Sequence, residues 1–270
     1  LYQTIRLMPL EKIALKFDLT EEVAEMFYSS LAIYAKLLKF TEADYVFAPK
    51  VDLWDTLIEQ MLVQKRALNE VVETREHALA CAKTVADRYR CNYEHANFLM
   101  ETACMIFDKI KTLHGLNPSY KLLLEIAAIL HDCGYFINSK HHLNSNVDIV
   151  KYTDIYGLTD KTTLITAYIS RFAESETPNY RDAEFASLKG SEKIIALKLA
   201  AIFRLANSLD KSQKQKLQSV KVRLDEDKFI ITAKSDSNTR LEHWAFEKCS
   251  AFFQEVFGVQ PVLTVKSSLI

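Results

Sequence analysis

Neither glycine nor proline occurs between Pro49 and Gly115, and the whole chain of 270 residues contains only five of each. Glycine and proline interrupt helices, and the stretch between Pro49 and Gly115 is rich in good helix formers such as alanine, leucine, glutamate and lysine. The sequence therefore predicts a mostly α-helical protein. The same scarcity excludes the glycine-rich phosphate-binding loops of P-loop and dinucleotide-binding proteins.

Composition limits the classes of protein that remain. Hydrophobic residues make up 49% of the chain, which is enough for a sizeable core, and the formal net charge of -1 gives no general attraction to nucleic acid or membranes. The five cysteines include no C-x-x-C pair, so we interpret them as reduced thiols of a cytoplasmic protein. The chain starts at Leu1 rather than at a methionine, and we expect it to be a fragment of a longer protein.

Apolar periodicity and capping residues predict the order of elements in the first two thirds of the chain. Two helices and a short strand at 44–48 are expected in residues 1–50. Breaks are expected near 69–74 and at Cys91-Asn92, with Asn92 capping a helix that carries His95. A helix is predicted at 119–133. Two later helices are predicted at 160–172 and 192–209, with Thr159 and Ser191 as their expected caps.

The period changes near Val220, where alternating apolar residues predict a β-hairpin around residues 225–227. A helix from Arg240 to Phe257 and a third strand at 262–265 should follow. We therefore predict three parts: an N-terminal remnant at 1–50, a helical domain at 51–212 and a small α+β domain at 213–270.

His131 and Asp132 form the main candidate site because they end an apolar stretch, residues 122–130. A histidine and an aspartate at this position can both reach one divalent metal, and His95 lies on another helix that packing could bring to the same point. The alternative is a buried, hydrogen-bonded pair that meets His95 or Asn207, since buried polar groups are usually satisfied in this way. We favour that alternative.

A second candidate is a run of basic residues without an acidic one, bracketed by Asp210 and Asp225. Its members are Lys211, Lys214, Lys216, Lys221 and Arg223. One interpretation is an exposed linker. The other is a strip that binds a polyanion such as polyphosphate, with a strong dependence on salt.

Several motifs occur together in an order that resembles the C-terminal half of the Ppx/GppA family of exopolyphosphatases and guanosine pentaphosphate phosphohydrolases. They are His95-Ala96, residues 113–116 (LHGL), 127–136 (AAILHDCGYF), 141–142 (HH), 168–172 (YISRF), 203–212 (FRLANSLDKS), 244–247 (WAFE) and 257–258 (FG). The resemblance implies an HD-like helical domain followed by a small α+β tail. It also implies that residues 1–50 are the edge of a preceding actin-like ATPase-type α/β domain.

The resemblance implies that the catalytic residues of the family lie in that preceding domain, so none is expected in this chain. By position, the HD-type metal ligands His95, His131 and Asp132 are retained, whereas Asn144, Ala173 and Asn207 replace the others. We therefore expect a degenerate HD site with no bound metal and no cofactor. Any divalent cation would belong to the parent enzyme.

Three functions follow from these observations. The first is an accessory region of a Ppx/GppA phosphatase that binds polyphosphate and supports dimerisation, without being catalytic itself. The second is a stand-alone HD-type metal-dependent phosphohydrolase using His95, His131 and Asp132, and the third is a non-catalytic interaction scaffold. The expected partners are polyphosphate or guanosine pentaphosphate through the parent protein and a second copy of the chain. No membrane and no specific nucleic acid are expected.

Overall fold

The computed structural model describes residues 2–41, 69–174, 183–225 and 227–267, in two compact units, Leu1–Lys65 and Arg66–Ile270. The α-helices are α1 Tyr2–Ile5, α2 Leu10–Phe17, α3 Glu21–Thr41, α4 Asn69–Arg88, α5 Tyr93–Lys109, α6 Lys111–His114, α7 Lys121–Leu130, α8 Cys133–Ile137, α9 His142–Lys151, α10 Asp160–Arg171, α11 Ala183–Ser187, α12 Gly190–Ser208 and α13 Arg240–Phe257. The strands are β1 Gln218–Asp225, β2 Lys228–Lys234 and β3 Gln260–Lys266.

The first unit contains α1, α2 and α3 among its described residues. Ile5, Ile13 and Ala24 are buried there and form a small core with the partly buried rings of Phe17 and Phe27. Helix α2 ends at Asp18, whose left-handed backbone conformation lets the amide of Leu19 donate to the Ala14 carbonyl at 2.9 Å. The strand predicted at 44–48 lies outside the described residues, and the assignment of this unit to an actin-like domain stays a prediction.

The second unit is built on α7, a mostly apolar helix that is buried from Leu123 to Leu130 and whose acidic residue, Glu125, is paired with Arg75. Helices α4, α5 and α10 pack against it, and α12 packs against α5 and α10. Two predicted caps are confirmed. The Asn92 side chain accepts hydrogen bonds from the first amides of α5, and Thr159 forms a reciprocal pair of capping bonds with Thr162.

Two sequence-based boundaries are wrong, and a third meets the limit of the described residues. Helix α4 begins at Asn69 and is continuous through 69–74, so no break lies inside that range, and residues 42–68 lie outside the described residues. The helix expected at 119–133 stops at Leu130, so His131 and Asp132 lie in the turn before α8. Ser191 is not a cap, because α12 begins at Gly190 and the Glu192 carboxylate accepts from the Lys189 amide instead.

The predicted hairpin, helix and third strand of the tail are confirmed. Strands β1 and β2 are antiparallel, and β3 lies parallel to β2 after the crossover through α13, giving the order β1-β2-β3. Gly258, at φ +74°, ends α13. Phe229 and Phe253 belong to the same buried core as residues of α5, α7, α10 and α12. The boundary predicted at residue 213 is therefore not a break in the packing.

The prediction of a mostly helical protein with a small α+β tail is confirmed. Within residues 69–174 and 183–217, the structure has helices, turns and loops but no strand. Among the described helices, none combines the length and the apolar composition needed to cross a bilayer.

Candidate functional site: a buried histidine–aspartate network

The turn between α7 and α8 presents His131 and Asp132 at the end of the buried helix. Gly134 makes this turn possible, because a Cβ atom there would lie only 2.0 Å from the His142 carbonyl oxygen. Its amide donates to the Asn146 side-chain oxygen at 3.3 Å. Contact between the start of α8 and the start of α9 therefore fixes the backbone that carries the pair.

His95 reaches the same place from α5 and is only 1% exposed. Its Nδ1 lies 2.8 Å from Oδ2 of Asp210, a carboxylate that is completely buried. Asp210 also accepts hydrogen bonds from the backbone amides of Lys214 and Gln215 at 3.0 and 2.7 Å, and from the Gln215 side chain at 2.7 Å. Asp210 therefore orients His95 and holds the loop after α12.

His131 is next to His95, with the two ring centroids 5.3 Å apart. Its Nδ1 lies 3.2 Å from Oδ1 of Asp132, whose other oxygen accepts a hydrogen bond from the Gln213 side chain at 2.7 Å. Burial lowers the pKa of His131 to about 4, although the neighbouring Asp132 opposes the shift. His131 is therefore a neutral imidazole at pH 7.

These three residues come together as the sequence suggested, and the nearest ligand atoms of His95, His131 and Asp132 all lie within 4.8 Å of one another. Nε2 of His95 is buried and makes no hydrogen bond with the described residues. Of the substituted positions, Asn207 and Ala173 are buried and line a cavity beside the network. Asn144 is exposed on α9.

Sequence reasoning missed Asp210, which has the most hydrogen bonds in the network. The sequence places Asp210 before the basic run and within the motif at 203–212, but gives it no role in the site. The available signal was a carboxylate at the end of α12, directly after the apolar residue Leu209, because an acid in such a position needs a buried partner.

The cavity beside the network has a volume of about 430 Å³ and lies between the end of α10, α12 and α13. Arg204, Lys211 and Lys248 line it together with one carboxylate, Glu174, and the half-exposed indole of Trp244. Glu174 accepts a hydrogen bond from Lys211 at 2.8 Å and lies 3.6 Å from Nε2 of His142. The positive charge of the wall suits an anion.

The five basic residues from Lys211 to Arg223 do not form one exposed strip. Lys211 is half-buried against Glu174, and Lys216 is half-buried and lies 3.8 Å from the buried carboxylate of Glu242. Lys214, Lys221 and Arg223 are exposed, with Arg223 paired to Asp225. Neither an exposed linker nor one continuous strip describes all five residues, because the loop after α12 folds back onto the protein.

Alternation along the tail strands places basic side chains on the face of the sheet opposite the core. This basic sheet face carries Lys221, Arg223, Lys228, Lys234 and Lys266, with Asp225 as its acidic residue. Lys234 and Lys266 are paired neighbours on β2 and β3. Only part of the predicted strip, Lys221 and Arg223, belongs to this face.

A sequence model of Ppx/GppA phosphatase, domain III, matches residues 79–248. The chain belongs to the Ppx/GppA phosphatase family. No curated protein shows a significant match to it. The matched residues include the whole histidine–aspartate network and most of the tail, which confirms the resemblance seen in the motifs.

The network of this Ppx/GppA domain does not supply a full HD-type ligand set. Two imidazoles and one carboxylate are present, and the carboxylate is already bonded to Gln213. Asn207 and Ala173 occupy positions where the resemblance implies ligands, so no reaction step is assigned to a metal here.

We expect protein purified without chelator to contain well under one transition metal ion per chain, because one carboxylate balances too little of a divalent charge. Elemental analysis after extensive dialysis measures this. A stoichiometric metal that is lost in the His131→Ala variant would contradict it and would favour the stand-alone hydrolase.

We expect stability to fall as the pH drops from about 6.5 to about 4. In the unfolded chain His131 has its ordinary pKa of 6.5, whereas in the folded protein its pKa is lowered to about 4, so the unfolded chain binds the proton first as the pH falls. The loss should approach about 3 kcal/mol for this group. Urea denaturation as a function of pH measures it, and His131→Gln should flatten the curve. Ring NMR signals of His131 that titrate above pH 6 would contradict this interpretation.

Proposed function

We propose that this chain is a C-terminal accessory region of a Ppx/GppA-type phosphatase that binds polyphosphate but does not hydrolyse it. The observation that carries the proposal is the match to domain III of the family together with the incomplete ligand set around His131 and Asp132. The parent enzyme would hydrolyse phosphoanhydride bonds of polyphosphate or guanosine pentaphosphate. Its catalytic residues and any divalent cation would reside in the preceding actin-like domain.

The absence of turnover is supported by the sequence itself. A phosphoanhydride hydrolase must hold phosphate oxygens with backbone amides, cations or a metal while it activates water. The five glycines of the chain provide no glycine-rich loop. His95 and Asp132 are engaged by Asp210 and Gln213.

Polyphosphate binding is supported by the basic sheet face and by the exposed Lys214. A polyphosphate is a line of closely spaced negative charges, and a row of lysines that meets it releases bound counterions. Lys221, Lys234 and Lys266 lie on three adjacent strands. They are exposed, so their charges can be reversed without disturbing the core.

The test is a binding titration of the chain with polyphosphate at several salt concentrations, combined with an assay for phosphate release. We expect binding that weakens steeply with salt and no release of phosphate. The triple variant Lys221→Glu, Lys234→Glu, Lys266→Glu should bind much more weakly. The slope of log affinity against log salt should also fall by about 2, by analogy with single-stranded nucleic acids.

The matched control reverses three exposed lysines away from the sheet, Lys83→Glu, Lys109→Glu and Lys111→Glu, and so changes the net charge by the same amount. It should retain most of the affinity and the salt slope. If both triple variants lose affinity equally, binding reflects net charge alone and the proposed face is wrong. Phosphate release by the purified chain would overturn the accessory role. An absence of polyphosphate binding would favour the interaction scaffold.

Homodimerisation and a cytoplasmic location complete the proposal. The five thiols, all free, suit a reducing compartment. Light scattering of the purified chain across concentrations would measure its mass, and a monomer at all concentrations would contradict dimerisation.

A further inference from the structure

Two cysteines next to the network lie in contact with each other. Cys91 lies between α4 and α5 and is half-buried, and Cys133 is the first residue of α8 and is fully buried. Their Sγ atoms are 2.9 Å apart, although 42 positions separate them in the sequence. A disulfide bond has an S–S distance of about 2.05 Å, so closure needs only a small movement.

The environments of the two thiols differ in a way that fixes their chemical roles. Cys133 is completely buried. Cys91 is the one with access to solvent. An oxidant arriving from solution therefore meets Cys91 first, with Cys133 already in place behind it.

We propose that Cys91 and Cys133 form a reversible disulfide site that is oxidised by hydroperoxides. The Cys91 thiolate attacks one peroxide oxygen, the O–O bond breaks, and a sulfenic acid forms at Cys91 with release of water after protonation. The Cys133 sulfur then attacks the sulfenic sulfur, the S–O bond breaks, and a second water leaves with the Cys133 proton. Two thiols and one hydrogen peroxide thus give one disulfide and two waters.

The position of the bond links it to the histidine–aspartate network. Cys91 precedes Asn92, whose side chain caps the helix that carries His95. Cys133 follows Asp132 directly. The disulfide would therefore join the two backbone segments that present His95, His131 and Asp132. The disulfide would form whether or not the chain binds polyphosphate.

The test treats the folded chain with a small excess of hydrogen peroxide, quenches it with a thiol-alkylating reagent in denaturant, and maps peptides by mass spectrometry. Free thiols should fall from five to three, with one intramolecular bond between Cys91 and Cys133. Dithiothreitol should restore all five. By closing a loop of this length, the bond should raise the melting midpoint by about 5–10 °C.

Two single variants provide the comparison. Cys91→Ser should retain all four remaining thiols under the same treatment, whereas Cys81→Ser, which removes a half-buried cysteine outside the pair, should still lose two. Mapping of the wild-type chain does not depend on how any variant folds. Retention of all five thiols, a bond between other cysteines, or a bond only between two chains would overturn the proposal.

Discussion

Replacing Asp210 by alanine is expected to destabilise the second unit by about 3–5 kcal/mol. The carboxylate is fully buried and accepts from His95, from two backbone amides and from the Gln215 side chain. Its removal leaves the buried His95 ring without its acceptor and frees the partly buried amides that hold the loop after α12, and a buried unpaired group costs the free energy of its own desolvation. Urea denaturation followed by Trp244 fluorescence, in a Trp54→Phe background, measures the loss.

The matched control is Asp225→Ala, since Asp225 pairs with Arg223 and both side chains are more than half exposed. This change should stay within about 0.5 kcal/mol. Equal effects of the two substitutions would mean that the network around Asp210 does not stabilise the folded unit.

Replacing Gly134 by alanine should also destabilise the second unit, by about 3 kcal/mol. The new Cβ would lie 2.0 Å from the His142 carbonyl oxygen and 2.8 Å from the Asn146 amide nitrogen. Both are backbone atoms, so α8 and α9 would have to separate rather than a side chain turn aside. The same denaturation experiment applies.

Gly190→Ala is the control for this substitution. It lies at the first position of α12, and an added Cβ there meets no atom within 4 Å. Alanine should be neutral or stabilising by up to about 1 kcal/mol, because it restricts the unfolded chain. A mild effect at Gly134 would show that the contact between α8 and α9 is loose.

Local features of the fold were predictable because their causes lie within a few residues. Asn92 and Thr159 cap helices through bonds to amides two or three positions away. The hairpin and α13 follow from apolar spacing along a short segment. The convergence of His95, His131 and Asp132 was also predictable, although it is not local. The order of the family motifs supplied the long-range information in that case.

What the sequence did not reveal depends on contacts between distant segments. The role of Asp210 requires His95, which lies 115 positions earlier. The pairing of Lys216 with buried Glu242 is set by how the loop after α12 meets α13. Charge patterns alone predict an exposed basic run in such a case, because they carry no information about which residues fold back.

The separation of His95 from Asp210 also bears on how the chain folds during synthesis. At about 5–20 residues per second, at least on the order of 6–23 s pass between the synthesis of His95 and of Asp210. The turn at Asp132 waits similarly for Gln213, 81 positions later. Contacts of such high sequence separation form late. A nascent chain that ends before Asp210 would therefore hold its helices with the central polar groups unpaired, which is a state suited to chaperone binding.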